Sequence, residues 1–235
     1  MREKQFEGHD PEEVRIVELR ESVLADNDRD ADDLRKELRE KGIFLVNLMS
    51  SPGAGKTSTL LALDPYLREA LRWGVMEADI DSDVDARTLQ NAGIPSIQLH
   101  TGGMCHLDAD MTRQGIRSFG RDDLDLIVLE NVGNLVCPAE FDTGAALNMT
   151  ILSVPEGDDK PAKYPLMYRT CEILVVNKVD ALPVFDFDRE RLEADVRTLN
   201  PDIAIFYISA RTGEGVEQLA DHLQQRIREW SEENG

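Results

Sequence analysis

Five apolar runs of strand length punctuate the chain: Ile43-Phe44-Leu45-Val46-Asn47-Leu48-Met49, Trp73-Gly74-Val75-Met76-Glu77-Ala78, Leu124-Asp125-Leu126-Ile127-Val128-Leu129, Ile173-Leu174-Val175-Val176 and Ile203-Ala204-Ile205-Phe206-Tyr207-Ile208. Helical spacing separates them, as in Leu60, Leu61, Leu63 and Leu67 after the first run. Continuous apolar runs alternating with amphipathic helices predict an α/β fold: a mostly parallel sheet, buried by helices on both faces. The pattern extends from Ile43 to Arg228 without internal repeat or low-complexity tract, so residues 43–235 read as one domain. Residues 1–42 read differently, as two charged helices. Pro11 sits in a first turn, and Val14, Ile16, Val17, Leu19 and Val23 lie on or near an apolar stripe. They are expected to form a short N-terminal helical arm used for packing or dimerisation.

The first strand runs into Ser50-Ser51-Pro52-Gly53-Ala54-Gly55-Lys56-Thr57, and a helix follows. Strand, glycine loop and helix in that order are the setting of a P-loop. Gly53 and Gly55 let the backbone curl so that successive N–H groups, including that of Ala54, converge on an anion, and the helix adds its positive end. Lys56 would reach the β- and γ-phosphates, the Thr57 hydroxyl would ligate Mg²⁺, and Ser58 completes the turn. Ser50 stands where the usual pattern has its first glycine.

The fourth run ends in Asn177-Lys178-Val179-Asp180. A carboxylate at Asp180 accepts both the N1–H and the 2-amino hydrogens of guanine, whereas adenine would leave it unpaired. Sites built on such pairs discriminate by roughly 10⁴-fold or more. The Lys178 stem can lie along the base. After the fifth run comes Ser209-Ala210, whose Ala210 N–H is placed to reach guanine O6. The motifs together describe a GTP site in a P-loop NTPase domain.

Between these anchors, acidic residues stand at predicted strand ends, where open α/β sheets bind ligands. Asp79 is assigned to the Mg²⁺ shell, Glu130 to a water near Mg²⁺, and the Gly133 N–H to sensing the γ-phosphate. Asp81 and Asp83 read as a solvated acidic loop, and Asp85 is left open. The catalytic set is thus Lys56, Thr57, Asp79 and Glu130. No Gln or Arg stands out to position water or act as a finger, which predicts slow turnover.

A GTPase needs no soft metal ligands, yet Cys105 and His106 lie side by side and Cys137 comes four residues after Gly133. Thiolate and imidazole suit Zn²⁺, Ni²⁺ or Cu rather than Mg²⁺. On the helix expected to open around Thr101–Asp110, the adjacent Cys105 and His106 would point about 100° apart. Three protein ligands leave a coordination position open, for water or a second subunit. The bland alternative is that both cysteines are small hydrophobes. Cys171 reads as buried structure, and His100 is a remote further candidate ligand.

Net charge is −20, from 46 Asp and Glu against 26 Lys and Arg. Without a basic stripe, nucleic-acid binding is disfavoured. Such charge fits a protein adapted to high salt, where screening makes self-repulsion tolerable. No run is long enough to span a membrane and no signal segment opens the chain, and three cysteines without an export signal point to a reducing cytoplasm.

The segments Ser51–Thr57, Thr101-Gly102-Gly103-Met104-Cys105-His106-Leu107-Asp108-Ala109, Glu130-Asn131-Val132-Gly133-Asn134-Leu135-Val136-Cys137-Pro138 and Asn177–Asp180 together resemble the hydrogenase nickel-incorporation GTPases, the HypB family of SIMIBI-class P-loop GTPases. The resemblance runs from about Arg35 to Trp230. It implies a slow GTPase that dimerises with GTP, binds nickel or zinc at Cys105, His106 and Cys137, and works with a HypA-type nickel/zinc accessory protein. Together they would load nickel into the large subunit of [NiFe]-hydrogenase. The N-terminal Cys-x-x-Cys-type nickel motif and the histidine-rich tract of some members are not in this sequence. The alternatives are a urease-type nickel carrier, whose Cys-Pro-His arrangement differs from Cys105-His106, and a regulatory GTPase with structural cysteines.

Overall fold

A computed structural model describes residues 16–18, 24–79 and 83–233. The first half of the chain contributes β1 (Ile16–Glu18), α1 (Leu24–Lys41), β2 (Phe44–Ser50), α2 (Lys56–Leu67), β3 (Trp73–Asp79), α3 (Val84–Asn91), β4 (Ser96–His100), α4 (Ala109–Phe119) and β5 (Leu126–Glu130). The second half contributes α5 (Cys137–Glu140), β6 (Leu147–Ser153), α6 (Lys160–Lys163), α7 (Pro165–Thr170), β7 (Ile173–Asn177), α8 (Arg189–Leu199), β8 (Ala204–Tyr207) and α9 (Val216–Glu232). The eight strands form one sheet in the order β1-β4-β3-β5-β2-β6-β7-β8, and each described pairing is parallel.

Every residue of β2 is buried, so this strand reads as an unbroken apolar run rather than an alternation. Its side chains nevertheless divide between the faces. Val46 and Leu48 join a core with Leu60, Leu63 and Leu67 of α2 and with Leu219, Leu223 and Ile227 of α9. Leu45, with Ile43 just before the strand, joins another with Leu34 and Leu38 of α1 and Met111 and Ile116 of α4. Around β7, α7 and α8 cover a third core containing Tyr168, Leu174, Leu192 and Val196. Each fully buried Leu contributes roughly 1.5–3 kcal/mol, so this layering is the main stabilising term. The expected two-faced sheet is observed. No helix among the described residues is long and apolar enough to cross a membrane.

The N-terminal region departs from expectation. One of the two helices is present as α1, but Ile16–Glu18 is a strand pairing with Gln98–His100 of β4. The β-branched Ile16 and Val17 favour an extended edge over a helix. The remaining residues of the first expected helix lie outside those described. Nor does α1 stand apart. Asn27 donates to the Asp142 carbonyl at 3.0 Å and accepts the Ala109 N–H at 2.9 Å, so it ties α1 to the start of α4.

The sheet places the functional edge. Strand β2 lies between β5 and β6, so the connections leaving β2 and β5 diverge there, and a crevice opens beyond the carboxyl ends of the strands. Register brings Glu77 opposite Glu130, Asp79 opposite His100 and Ser153 opposite Asn177 along that edge.

Candidate functional site

The phosphate loop leaves β2 at the buried Ser50 and enters α2 at Lys56. Gly53 and Gly55 have φ of 78° and 102°, a region L side chains rarely adopt, and a Cβ on Gly55 would stand 2.5 Å from Asn177 Nδ2. Gly55 is therefore required by conformation and by space. Asn177 Nδ2 donates to the Ala54 carbonyl at 3.0 Å, and Lys178 Nζ donates to the Gly53 carbonyl at 2.7 Å. The base-reading tetrapeptide thus holds the phosphate loop from behind.

Two cavities flank this junction. One of about 330 Å³ is lined by Gly53, Gly55, Lys56, Thr57, Ser58, Asp85, Glu130 and Lys178. The other, of about 610 Å³, is lined by Ser58, Leu61, Ala62, Asn177, Lys178, Asp180, Ala181 and Ala210 among others. A charged cavity beside an apolar one bounded by a carboxylate matches the two ends of a nucleotide. Within the second, Asp180 Oδ1 accepts from the Ser209 hydroxyl at 2.6 Å, while Oδ2 is 2.9 Å from Arg211 Nε. The Ser209 hydroxyl and the Arg211 guanidinium hold the Asp180 carboxyl below the usual range, so it stays an acceptor. Ala210 N–H, expected at guanine O6, donates instead to Asn177 Oδ1 at 3.2 Å. Arg211 was not foreseen. It is the residue after Ala210, and only folding shows its fork on Asp180.

In the phosphate cavity, Thr57 Oγ1 donates to Glu130 Oε1 at 3.4 Å and Lys56 Nζ stands 3.8 Å from the same oxygen. Burial pushes the Glu130 carboxyl up to about 7, against the opposing pull of Lys56. Asp85, left open by the sequence, lines this cavity, whereas Asp79 is not among its lining residues. Asp79 ends β3 level with His100. Asp83 begins the turn into α3 and pairs with Arg87 at 2.7 Å, in keeping with a surface role, while Asp81 lies outside the described residues. Gly133 packs on the loop itself: a Cβ there would meet Pro52 Cγ at 3.0 Å and Pro52 N at 3.3 Å. The segment after Glu130 thus lies directly against the phosphate loop.

That segment leads to the cysteines. Cys137 opens α5, and its nearby thiol, together with burial, raises the Cys105 pKa. Cys105 and His106 lie in the turn before α4, which begins only at Ala109. The helical placement expected for them, with side chains about 100° apart, is therefore corrected. The chain turns instead, because Asp108 caps α4 by accepting the Met111 N–H at 2.8 Å, and Gly102 and Gly103 take φ of 66° and 96°. His106 Nδ1 consequently lies 3.8 Å from Cys105 Sγ. The buried His106 ring stacks on Phe141 with centroids 3.5 Å apart and planes 16° from parallel. Cys105 and His106 are thus neighbours and Cys137 acts on the Cys105 thiol, but among the described residues the three donors do not form a group with every pair within 4.8 Å. Cys171 is fully buried, with its thiol pKa raised by desolvation, as expected of a structural residue.

Two further groups escaped the sequence reading. Glu77, in an apolar strand run, is buried and faces Glu130 across β3 and β5. Burial first, and then the Glu130 charge, push its carboxyl up to about 8. Asn131 donates to Asn47 at 3.0 Å and Asn47 to Asn148 at 3.0 Å, a buried amide ladder across β5, β2 and β6. The signal for both was a polar residue inside an apolar run.

The CobW/HypB/UreG nucleotide-binding domain model matches residues 44–207. The hydrogenase maturation factor HypB of Azotobacter chroococcum is 43% identical over 202 residues, which cover 86% of this chain and 66% of that protein, just under two thirds of its length. The crystal structure of HypB from Helicobacter pylori in complex with nickel superposes with a TM-score of 0.81 at 34% identity, covering 86% of this chain and 95% of that one. The HypB crystal structure from Archaeoglobus fulgidus gives a TM-score of 0.80 at 36% identity, covering 87% of this chain and 100% of that one. Motifs, topology and these likenesses agree: the chain belongs to the CobW/HypB/UreG family of P-loop nucleotide-binding domains, within its hydrogenase maturation factor HypB group.

Proposed function

We propose that this chain is a GTP-hydrolysing nickel metallochaperone that helps load [NiFe]-hydrogenase during its maturation. The observation that carries the reading is the continuity of one segment: it begins at Glu130 in the phosphate cavity, packs Gly133 on Pro52, and ends at Cys137, whose thiol raises the Cys105 pKa. A change at the γ-phosphate is therefore transmitted over a few residues to a thiolate ligand.

Asp180 selects guanine, displacing the exposed Arg211 from its carboxylate, and Lys56 with the loop N–H groups binds the phosphates. Thr57 and Glu130 offer hard oxygens that would suit Mg²⁺; Asp79 remains the third assigned ligand, direct or through water. Held by these residues, Mg²⁺ would supply neutralisation of charge on the transferring phosphoryl group. Glu130 would hold a water near Mg²⁺, and without an assigned water-positioning or finger residue turnover is expected to be slow.

Nickel is cargo. Cys105, His106 and Cys137 supply two thiolates and an imidazole, with Phe141 fixing the ring, and Zn²⁺ competes for the same donors. The open coordination position suits a ligand from a GTP-dependent homodimer or a handover partner. That partner is proposed to be a HypA-type nickel/zinc protein, with the hydrogenase large subunit as final acceptor, in the cytoplasm. The deciding experiment is Ni²⁺ titration of the reduced chain with GDP and with a non-hydrolysable GTP analogue, following the thiolate-to-nickel absorption. A nucleotide-dependent affinity or stoichiometry supports the coupling, and identical curves refute it. No nickel binding would leave a regulatory GTPase with structural cysteines.

A further inference from the structure

Ser51 belongs to the phosphate loop, yet it is not among the residues that line the phosphate cavity. Its hydroxyl donates instead to Glu156 Oε1, in the turn Val154–Glu156 that follows β6. The other oxygen, Oε2, accepts the Ser153 N–H at 2.8 Å and the Ser153 hydroxyl at 2.7 Å, which caps the turn. Capping needs only one carboxylate oxygen. The second is spent on the phosphate loop. Strand register explains the meeting, because Ser50 lies opposite Ile151 and the chain beyond it runs toward the end of β6. A hydroxyl donating to a carboxylate makes a bond roughly twice as strong as one between neutral groups.

We propose that Glu156 is a positioning residue for the γ-phosphate end of the nucleotide site, acting through Ser51 on Pro52 and Gly133; this deepens the GTP reading above and rests on it. Pro52 follows Ser51 directly. Gly133 lies so close to it that an added Cβ would stand 3.0 Å from Pro52 Cγ and 3.3 Å from Pro52 Cα. A shift of Pro52 therefore moves Gly133, whose N–H is the group assigned to the γ-phosphate. The rest of the loop is held from elsewhere, by Lys178 on the Gly53 carbonyl and by Asn177 on the Ala54 carbonyl. Of these three anchors, the one at Ser51 adjoins the seat of Gly133.

The turn that carries Glu156 is itself firmly seated. Val154 is buried and shares a core with Leu135, Leu152 and Tyr168. Leu135 stands between Gly133 and Cys137 in the chain, so the segment after Glu130 meets this turn twice: through Pro52 at Gly133, and through the shared core at Leu135. Glu156 locks the phosphate loop to that common support. The geometry also limits what the tether can affect. GDP brings no γ-phosphate to Gly133, so the tether bears on the triphosphate and leaves guanine and diphosphate binding to Asp180, Lys56 and the other two anchors.

The test is a double-mutant cycle on Ser51→Ala and Glu156→Ala, with GDP and a non-hydrolysable GTP analogue titrated against the full chain. Each single variant is expected to lose about tenfold in affinity for the analogue and less than about twofold for GDP. The double variant should lose no more than either single one, since both remove the same bond. Ser51→Thr, which keeps the hydroxyl, should restore the wild-type ratio of the two affinities. The proposal is overturned if GDP and the analogue weaken alike, if the two losses add, or if Ser51→Ala binds both as wild type does. Ser51→Ala leaves the cap of the turn intact, so it keeps the test decisive even if Glu156→Ala folds poorly. A wild-type chain that binds no guanine nucleotide would refute the functional reading and the tether with it; wild-type binding with unaltered variants refutes the tether alone.

Discussion

Asn177 donates from Nδ2 to the Ala54 carbonyl at 3.0 Å and accepts the N–H groups of Lys178 at 2.7 Å and Ala210 at 3.2 Å through Oδ1. One buried amide thus joins the phosphate loop, its own loop and the loop after β8. Asn177→Ala leaves these backbone groups unpaired at a cost of about 1–3 kcal/mol. GTP affinity should fall by roughly 10- to 100-fold, measured by fluorescent-nucleotide titration. An unchanged affinity would mean the three loops are held by other contacts.

Asp180 presents two acceptor oxygens, which match the two donors of the guanine edge. Asp180→Asn replaces one acceptor with a donor. It should therefore lose GTP affinity by about 10²-fold or more and gain affinity for xanthosine triphosphate, whose C2 carries a carbonyl. Competition between the two nucleotides reads this directly, and retained guanine preference would remove Asp180 from base selection.

Phe141 stacks on His106 at 3.5 Å, and the Cys137 thiol raises the Cys105 pKa. Cys137→Ala should abolish high-affinity nickel binding while leaving GTP affinity nearly unchanged. Phe141→Ala should weaken nickel by about tenfold through loss of ring orientation, and Phe141→Tyr should restore it. Loss of nucleotide binding in Cys137→Ala would show a structural residue instead.

Glu77 and Glu130 have carboxyl pKa values raised by burial to about 8 and about 7. Unfolded carboxylates titrate near 4.3, so between that pH and 8 the folded chain binds more protons than the unfolded one. Their contribution is complete below the unfolded value and is lost as pH rises through 7 and 8. With divalent ions chelated, stability should fall by on the order of 1–3 kcal/mol from pH 5 to pH 8, and Glu77→Gln should flatten the slope. Thermal melts across that range decide it. A slope unaltered in Glu77→Gln would place the charged pair elsewhere.

With a net charge of −20, folding brings like charges together. Added KCl screens them, and raising it from 0.05 M to 1 M should increase stability by about 1 kcal/mol, a rise of roughly 2–4 °C in Tm. Equal melting in dilute and molar salt would exclude adaptation to a salty cell.

The P-loop, the guanine-reading motif and the alternating architecture were legible because each is a local signal: an apolar run, a glycine pair, a tetrapeptide after a strand. Strand β6 was harder to see. Asn148, Thr150 and Ser153 dilute its apolar pattern, although it lies centrally and the Asn148 and Ser153 side chains pair within the sheet and its cap. Ile16–Glu18 was read as helix, because a three-residue edge strand carries too little sequence to show its period and exists through its pairing with β4.

The sequence by itself determined which residue types stand in which motif: Lys56 and Thr57 behind a glycine pair, Asp180 after a strand, and Cys105, His106 and Cys137 as the donors proposed for a soft metal. Tertiary structure decided which groups meet. Strand register set Glu77 against Glu130, chosen by a pairing 53 residues apart (130 − 77) that no local pattern encodes. Asp85 rather than Asp79 lines the phosphate cavity because α3 starts where it does. The turn before α4 sets Cys105 Sγ 3.8 Å from His106 Nδ1 and within reach of the Cys137 thiol's influence. Residue types are written along the chain, but a shared proton, ion or thiol contact depends on distances of a few ångströms between elements far apart in sequence, and packing alone sets those.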